Sequence, residues 1–232
     1  MRFLLLALLA ALPVLVPETA VAGPPAASSP VPADAGLAVA VSGTVTYKGA
    51  SATTSAPVSP YMKLRVGDLV DVPPGGHLEI LYFGSGRREG WDGKASLVVG
   101  TEKGDAKLGE AKTQDQGPAV GRSLENLPIM LRQAETYQAG QTLVRGGSST
   151  VTPVPLDAVE QAQVTEAWTT YEVLRTNAKA DDVFPEMYLV SVLLPLGLDA
   201  ESEGALEKAV AKCPTCQEPR ALLDWIKARR QR

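Results

Sequence analysis

His77–Trp91, HLEILYFGSGRREGW, decides the fold of the first half of the chain. Leu78, Ile80 and Tyr82 alternate with His77 and Glu79. A strand from His77 to Phe83 therefore turns three large apolar side chains to a core and two polar ones away from it. Gly84-Ser85-Gly86 predicts a hairpin turn into a second strand, Arg87–Trp91. Asp92-Gly93 predicts the next turn, into a strand over Ala95–Val99.

The same grammar extends upstream. Pro73-Pro74-Gly75-Gly76 is a strong turn, and Gly67-Asp68 divides Met62–Val66 from Leu69–Val72. Further back, Leu37, Val39, Val41, Val45 and Tyr47 share one face, with Gly43 in the same register. Ala38, Ala40, Ser42, Thr44, Thr46 and Lys48 take the other. This reads as a half-buried strand, followed by a Ser/Thr/Ala/Pro loop over Lys48–Pro60. Short strands with turn signals about every 8–12 residues predict a small all-β sandwich or barrel. Thr101–Gly121 is polar and reads as a loop. Leu124, Leu127, Met130 and Leu131 share a helical face within Ser123–Ala139, where Pro128 suits a first turn better than an interior. Gln141–Val144 reads as a return strand. The β-rich domain thus spans 37–146, and Gly146-Gly147-Ser148-Ser149 marks its end.

After Pro155 the period becomes helical. Val164, Ala167, Trp168, Tyr171 and Leu174 follow i, i+3, i+4 spacing. Asp181-Asp182 with Pro185 starts a second helix, Phe184–Leu194, apolar nearly all round and hence central. Asp199 caps a third, carrying Leu206, Ala209 and Val210. Pro219 opens a fourth, carrying Leu222, Leu223, Trp225 and Ile226. Residues 155–232 are therefore expected as two antiparallel helix pairs. The fold class is α+β, a small β domain followed by a small helical one.

At the other end, Arg2, the apolar run Phe3–Val16 and the small-residue stretch Ala20-Val21-Ala22 form a cleavable export signal over residues 1–22. The run is shorter than the roughly 20 residues a span needs, and no stable membrane span is expected after cleavage near Ala22. Gly23–Gly36, rich in Pro, Ala and Ser, reads as a disordered linker over residues 23–36. The expected compartment is the periplasm. Of 22 Lys and Arg and 26 Asp and Glu, cleavage removes one each, which leaves the net charge at −4. That balance argues against nucleic acid as a partner.

Four stretches within Val39–Gly100 carry a family resemblance. Val41-Ser42-Gly43-Thr44-Val45 resembles the opening V-x-G-x-V strand of FecR-like domains. Leu64-Arg65-Val66-Gly67-Asp68-Leu69-Val70 is similar to their L-x-x-G-D segment. Leu78–Phe83 with Gly84-Ser85-Gly86 is similar to their apolar strand and turn, with Leu97-Val98-Val99 as the closing strand. The resemblance covers about a quarter of the 232-residue chain. It implies a β-rich envelope domain that works by contact with protein or glycan rather than by catalysis. Signalling members also carry a cytoplasmic segment and a membrane helix, and that role is not carried over. The family's acidic-Gly turn is Gly-Ser-Gly here.

Four features invite chemistry. Cys213-Pro214-Thr215-Cys216 fits either a local disulfide clip between the last two helices or a thiol-redox pair. The clip is favoured, because redox pairs of this spacing follow a strand in a βαβ unit and an Ala-rich helix precedes this one. Residue 217 is Gln, which excludes c-type haem attachment, and two Cys with one His make a poor zinc site. His77, the single histidine, reads as a solvated strand residue beside Glu79. Arg87, Arg88 and Trp91 form a candidate interaction surface; the alternative places Trp91 in the core and the arginines on a solvated edge. Lys227, Arg229, Arg230 and Arg232 form a basic end suited to a helix C-terminus. No catalytic residue, metal or cofactor is expected. The expected function is a non-enzymatic interaction module contacting an envelope protein or glycan. A thiol-disulfide redox protein and a self-associating structural protein are the alternatives.

Overall fold

The alternating stretch from Leu37 breaks at Gly43, whose φ of 73° suits a residue without Cβ. Strand β1 (Asp34–Ser42) ends before it, and β2 (Thr46–Lys48) begins in a different sheet. The computed structural model describes residues 32–139 and 155–231. The chain runs on through β3 (Ala56–Pro57), β4 (Lys63–Arg65), β5 (Leu69–Val72), β6 (His77–Tyr82), β7 (Arg87–Asp92) and β8 (Ala95–Val99). β9 (Gly104–Leu108) and β10 (Ala111–Asp115) follow, and the chain crosses from one sheet to the other between them. Two antiparallel sheets result, ordered β10-β7-β6-β1-β4 (the inner sheet) and β3-β2-β5-β8-β9 (the outer sheet). Leu78, Ile80, Tyr82 and Trp91 of the inner sheet meet Val70, Val72, Leu97 and Val99 of the outer one in a shared core.

Part of the other face of the inner sheet is also buried. Leu37 and Val39 of β1, with Leu81 and Phe83 at the end of β6, join a second core with the helices. The single-face reading of Leu37–Tyr47 is corrected accordingly. A bulge between Ala38 and Ala40 shifts the β1–β6 register, so Val41 packs into the sandwich with Ala38 while Leu37 and Val39 face the helices. An inserted residue reverses side-chain parity along a strand. The expected disordered linker is shortened too, because β1 starts at Asp34. The loop expected over Thr101–Gly121 holds β9 and β10, whose largely exposed polar residues give no alternation to read.

Six helices are described: α1 (Pro118–Leu124), α2 (Leu127–Gln138), α3 (Ala158–Asn177), α4 (Phe184–Leu193), α5 (Asp199–Lys212) and α6 (Gln217–Arg230). Pro128 sits in the first turn of α2. Every residue of α4 is buried, and α1, α3 and α5 pack around it while α2 packs on α6. The fold is thus α+β, a β-sandwich followed by helices. The sequence patterns on either side of 146–155 belong to a single compact unit, because α1 and α2 share the helical core. Gly121 lets α1 approach the inner sheet: a Cβ there would stand 2.4 Å from the Phe83 carbonyl oxygen. Asp157 caps α3 in a reciprocal box with Glu160. Asp199 is the first residue of α5 rather than its cap, which is Leu198. The basic end of α6 is paired across to α5, Lys227 with Glu207 at 3.0 Å, Arg229 with Asp199 and Arg230 with Glu203. The export signal, the linker to residue 31 and the strand expected over Gln141–Val144 lie outside the described residues. No helix among the described residues is long and apolar enough to cross a membrane.

Candidate functional site

The outer face of β6 alternates His77, Glu79, Leu81 and Phe83. Leu81 and Phe83 lie under the helices, which leaves His77 and Glu79 beside an open cleft. The cleft crosses the inner sheet over β10, β7, β6 and β1, and the α3–α4 loop and the start of α6 form its opposite wall. Its volume is about 370 Å³, within the range of small-ligand sites. Pro60, Tyr61, Cys216 and Glu218 also line a larger groove of about 1140 Å³ that continues past β4 and α2.

Arg88 builds the wall between sheet and helices. It is 8% exposed. Its Nε donates to Glu79 Oε2 at 2.7 Å, and its Nη2 donates to Glu79 and, at 2.9 Å, to Asp182 Oδ2. The guanidinium stacks 4.5 Å from the Phe184 ring centroid. Burial opposes the charged form, but the carboxylates of Asp182 and Glu79 outweigh it and raise the pKa above its ordinary value. Asp182 also accepts from the Phe184 amide at 2.9 Å, which ties the turn before α4 to the sheet. Arg175 secures the same loop from behind. It donates to the Asp182 carbonyl at 2.6 Å, to the Lys179 carbonyl, and to the fully buried Glu186 at 3.1 Å.

Tyr61 is the most unusual residue of the site. The Met62 amide donates to the Ser59 carbonyl at 3.2 Å, closing a turn with Pro60 second and Tyr61 third. A type II turn demands positive φ at that third position and favours glycine there. Tyr61 adopts φ +56°, alone among the described non-glycine residues. Such a backbone costs about 1–3 kcal/mol and is concentrated at functional sites. Its side chain is 4% exposed, and its hydroxyl has no hydrogen-bond partner among the described residues. Burial, then the Glu218 carboxylate, hold its phenol far above the usual range, so the hydroxyl stays protonated. In sequence, Pro60 was the only sign of this turn, and nothing marked the ring as buried.

The residues proposed from sequence are dispersed. Trp91 is 1% exposed in the sandwich core, with its indole nitrogen unpartnered among the described residues. Arg88 is inside the cleft wall, and Arg87 is half-exposed and donates to Glu89 at 2.7 Å. They form no common interaction surface, because β7 turns Arg88 to the helices and Trp91 to the other sheet. Cys213 and Cys216 are disulfide-bonded, as the C-cap of α5 and the N-cap of α6. His77 faces two carboxylates, with Nδ1 2.6 Å from Asp92 and Nε2 3.3 Å from Glu79. No group of three or more His, Cys, Asp or Glu side chains suited to a metal occurs among the described residues.

Comparison with protein-family models, with curated proteins and with solved structures finds no match to this chain.

Proposed function

We propose that the protein is an exported, non-enzymatic interaction module that holds an extended segment of an envelope partner in the cleft across the inner sheet. The observation that carries this reading is Tyr61, a residue of strained backbone that lines both grooves and whose buried hydroxyl has no partner among the described residues. A fold accepts such costs at binding sites more readily than elsewhere. The FecR-like resemblance and the export signal support an envelope setting.

The test is position-specific photo-crosslinking in envelope extracts. Probes replacing Gln114 and Asn177 in the cleft should capture a defined species. A probe replacing Leu108, exposed on the outer sheet, should not. Equal capture at all three positions would remove the cleft from the proposal.

The redox reading has one feature in its favour: Cys216 is at the N-terminus of α6, where a helix dipole favours a thiolate. A redox protein reduces a model disulfide and loses that activity in Cys213→Ser. Absence of reductase activity in the parent protein would leave the pair as a clip between helices.

A further inference from the structure

We propose that the cleft ends at β10 in an open sheet edge, and that the partner's segment is a peptide whose backbone pairs with Ala111–Asp115 as a sixth strand of the inner sheet. The inference rests on the binding reading above and states how the segment is held.

β10 is the outermost strand of the inner sheet, and β7 pairs with one side of it alone. The Gln116 amide donates to the Gly86 carbonyl at 3.0 Å. Backbone groups alternate along an antiparallel ladder, so Gln116, Gln114 and Lys112 turn theirs to β7. The N–H and C=O groups of Ala111, Thr113 and Asp115 point the other way, where no strand lies among the described residues. Such a row matches another extended backbone. A glycan carries no alternating row of amides and carbonyls to set against it.

Sheets usually blunt their edges with short strands, proline, charge or bulges. The other three edges here do so. β3 is two residues long and ends in Pro57. On β4 the Arg65 amide donates to Asp68 Oδ2 at 2.9 Å, and the Arg65 carbonyl accepts from the Asp68 amide at 3.1 Å. β9 meets β8 through an irregularity between Ser96 and Leu97. β10 has no proline, and its five pairs with β7 run without a register shift. Both its charges are turned inward: Lys112 lies 2.9 Å from Asp92 of β7, and Asp115 accepts from the Gly117 amide at 2.9 Å.

A depression flanks this edge on each face. Gln114 and Gln116 border the cleft on one side. Thr113 and Asp115 border a depression of about 580 Å³ on the other, walled by the turn between β8 and β9. Side chains of a strand alternate between its faces, so successive residues of an added strand would enter one depression and then the other. Main-chain pairing supplies the affinity of this mode, and pockets for alternate side chains supply its specificity.

A second copy of the chain is the poorer occupant. Five residues extend about 17 Å, and two such strands by themselves fall short of the roughly 1,200–2,000 Å² that a stable interface buries. A flexible segment adds the cleft to the edge.

The probe is a library of random blocked hexapeptides selected against the full chain, the tightest of which is titrated by NMR. The expected result is slower hydrogen exchange at the Thr113 and Asp115 amides on binding. Thr113→Pro should weaken the peptide about ten-fold or more, the loss of edge hydrogen bonds. Proline is tolerated where a strand's N–H faces outward, and circular dichroism checks the fold. A twin peptide N-methylated at its central residues should weaken as much, and it decides alone if Thr113→Pro does not fold. Full-strength binding to Thr113→Pro, with exchange at Thr113 and Asp115 unchanged, overturns the edge; shifts confined to Asn177 and Gln116 would then leave the cleft reading standing. Selection of no peptide overturns both. A protein that doubles in mass until Thr113→Pro releases it gives the edge to a second copy and overturns the peptide.

Discussion

Tyr61→Phe should make this protein more stable, a sign opposite to that of most changes at buried positions. The hydroxyl is buried without a partner. Leaving such a group unsatisfied costs about 1–3 kcal/mol. Phenylalanine keeps the ring, its apolar contacts with the helical core and the turn's positive φ, and removes only the orphaned oxygen. The expected gain is about 1 kcal/mol or more, allowing for the small void left behind. Equilibrium urea unfolding reads it as a higher midpoint at unchanged slope. In a thermal scan, a domain of this size would move up by roughly 2–4 °C per kcal/mol. A loss of 0.5 kcal/mol or more, taken as an order-of-magnitude threshold, would refute the reasoning, because it would mean the hydroxyl is satisfied in solution. Stability gained together with ligand binding lost would mark Tyr61 as a residue kept for its function.

Three other outcomes follow from the same geometry. Arg88→Met should cost about 3–5 kcal/mol in urea unfolding, since it strands two desolvated carboxylates between sheet and helices; a cost below about 1 kcal/mol would mean Glu79 and Asp182 reach solvent. Converting both Cys213 and Cys216 to Ser should cost about 2 kcal/mol at most, because the bridge closes a loop of only a few residues; a larger loss would show that the clip orders more than the α5–α6 turn. Hydrogen bonds from Lys112 and then His77 lower the Asp92 pKa below its ordinary 3.8. Its contribution is therefore complete above that value and fades as pH falls through the lower folded one. Asp92→Asn should flatten the acid limb of a stability–pH curve slightly, and an unchanged curve would show that solvent screens the pair.

The sheets were legible where one face of a strand is apolar. Leu78, Ile80 and Tyr82 enter the sandwich core as their alternation predicts, and the turns at Gly84–Gly86 and Asp92-Gly93 fall where glycine places them. The all-round apolar character of Phe184–Leu194 likewise identified the central helix. β9 and β10 were not legible, because largely exposed edge strands need no apolar period. Nor was the bulge at Ala38–Ala40, because parity is set by a backbone irregularity rather than by residue type. The site was least legible of all. Arg88 and Asp182 lie 94 residues apart and meet only once the helices dock. An arginine on a strand carries no sign of whether it will face water or a neighbouring layer. Pro60-Tyr61 looked like part of an ordinary loop, since no rule of composition expects tyrosine where the backbone calls for glycine.

The inner sheet, whose second face is covered in part by helices, imposes an order on the chain's own birth. Synthesis delivers Leu37, Leu81 and Phe83 early, and the sandwich covers only the opposite face. Leu222 and Ile226, which close the second core, arrive last. At roughly 5–20 residues per second, an apolar sheet face stays incompletely covered for roughly 7–30 seconds on each nascent chain. Over that interval the protein is hostage to whatever else is sticky nearby, and a chaperone that shields this face until the last helix arrives would set the yield.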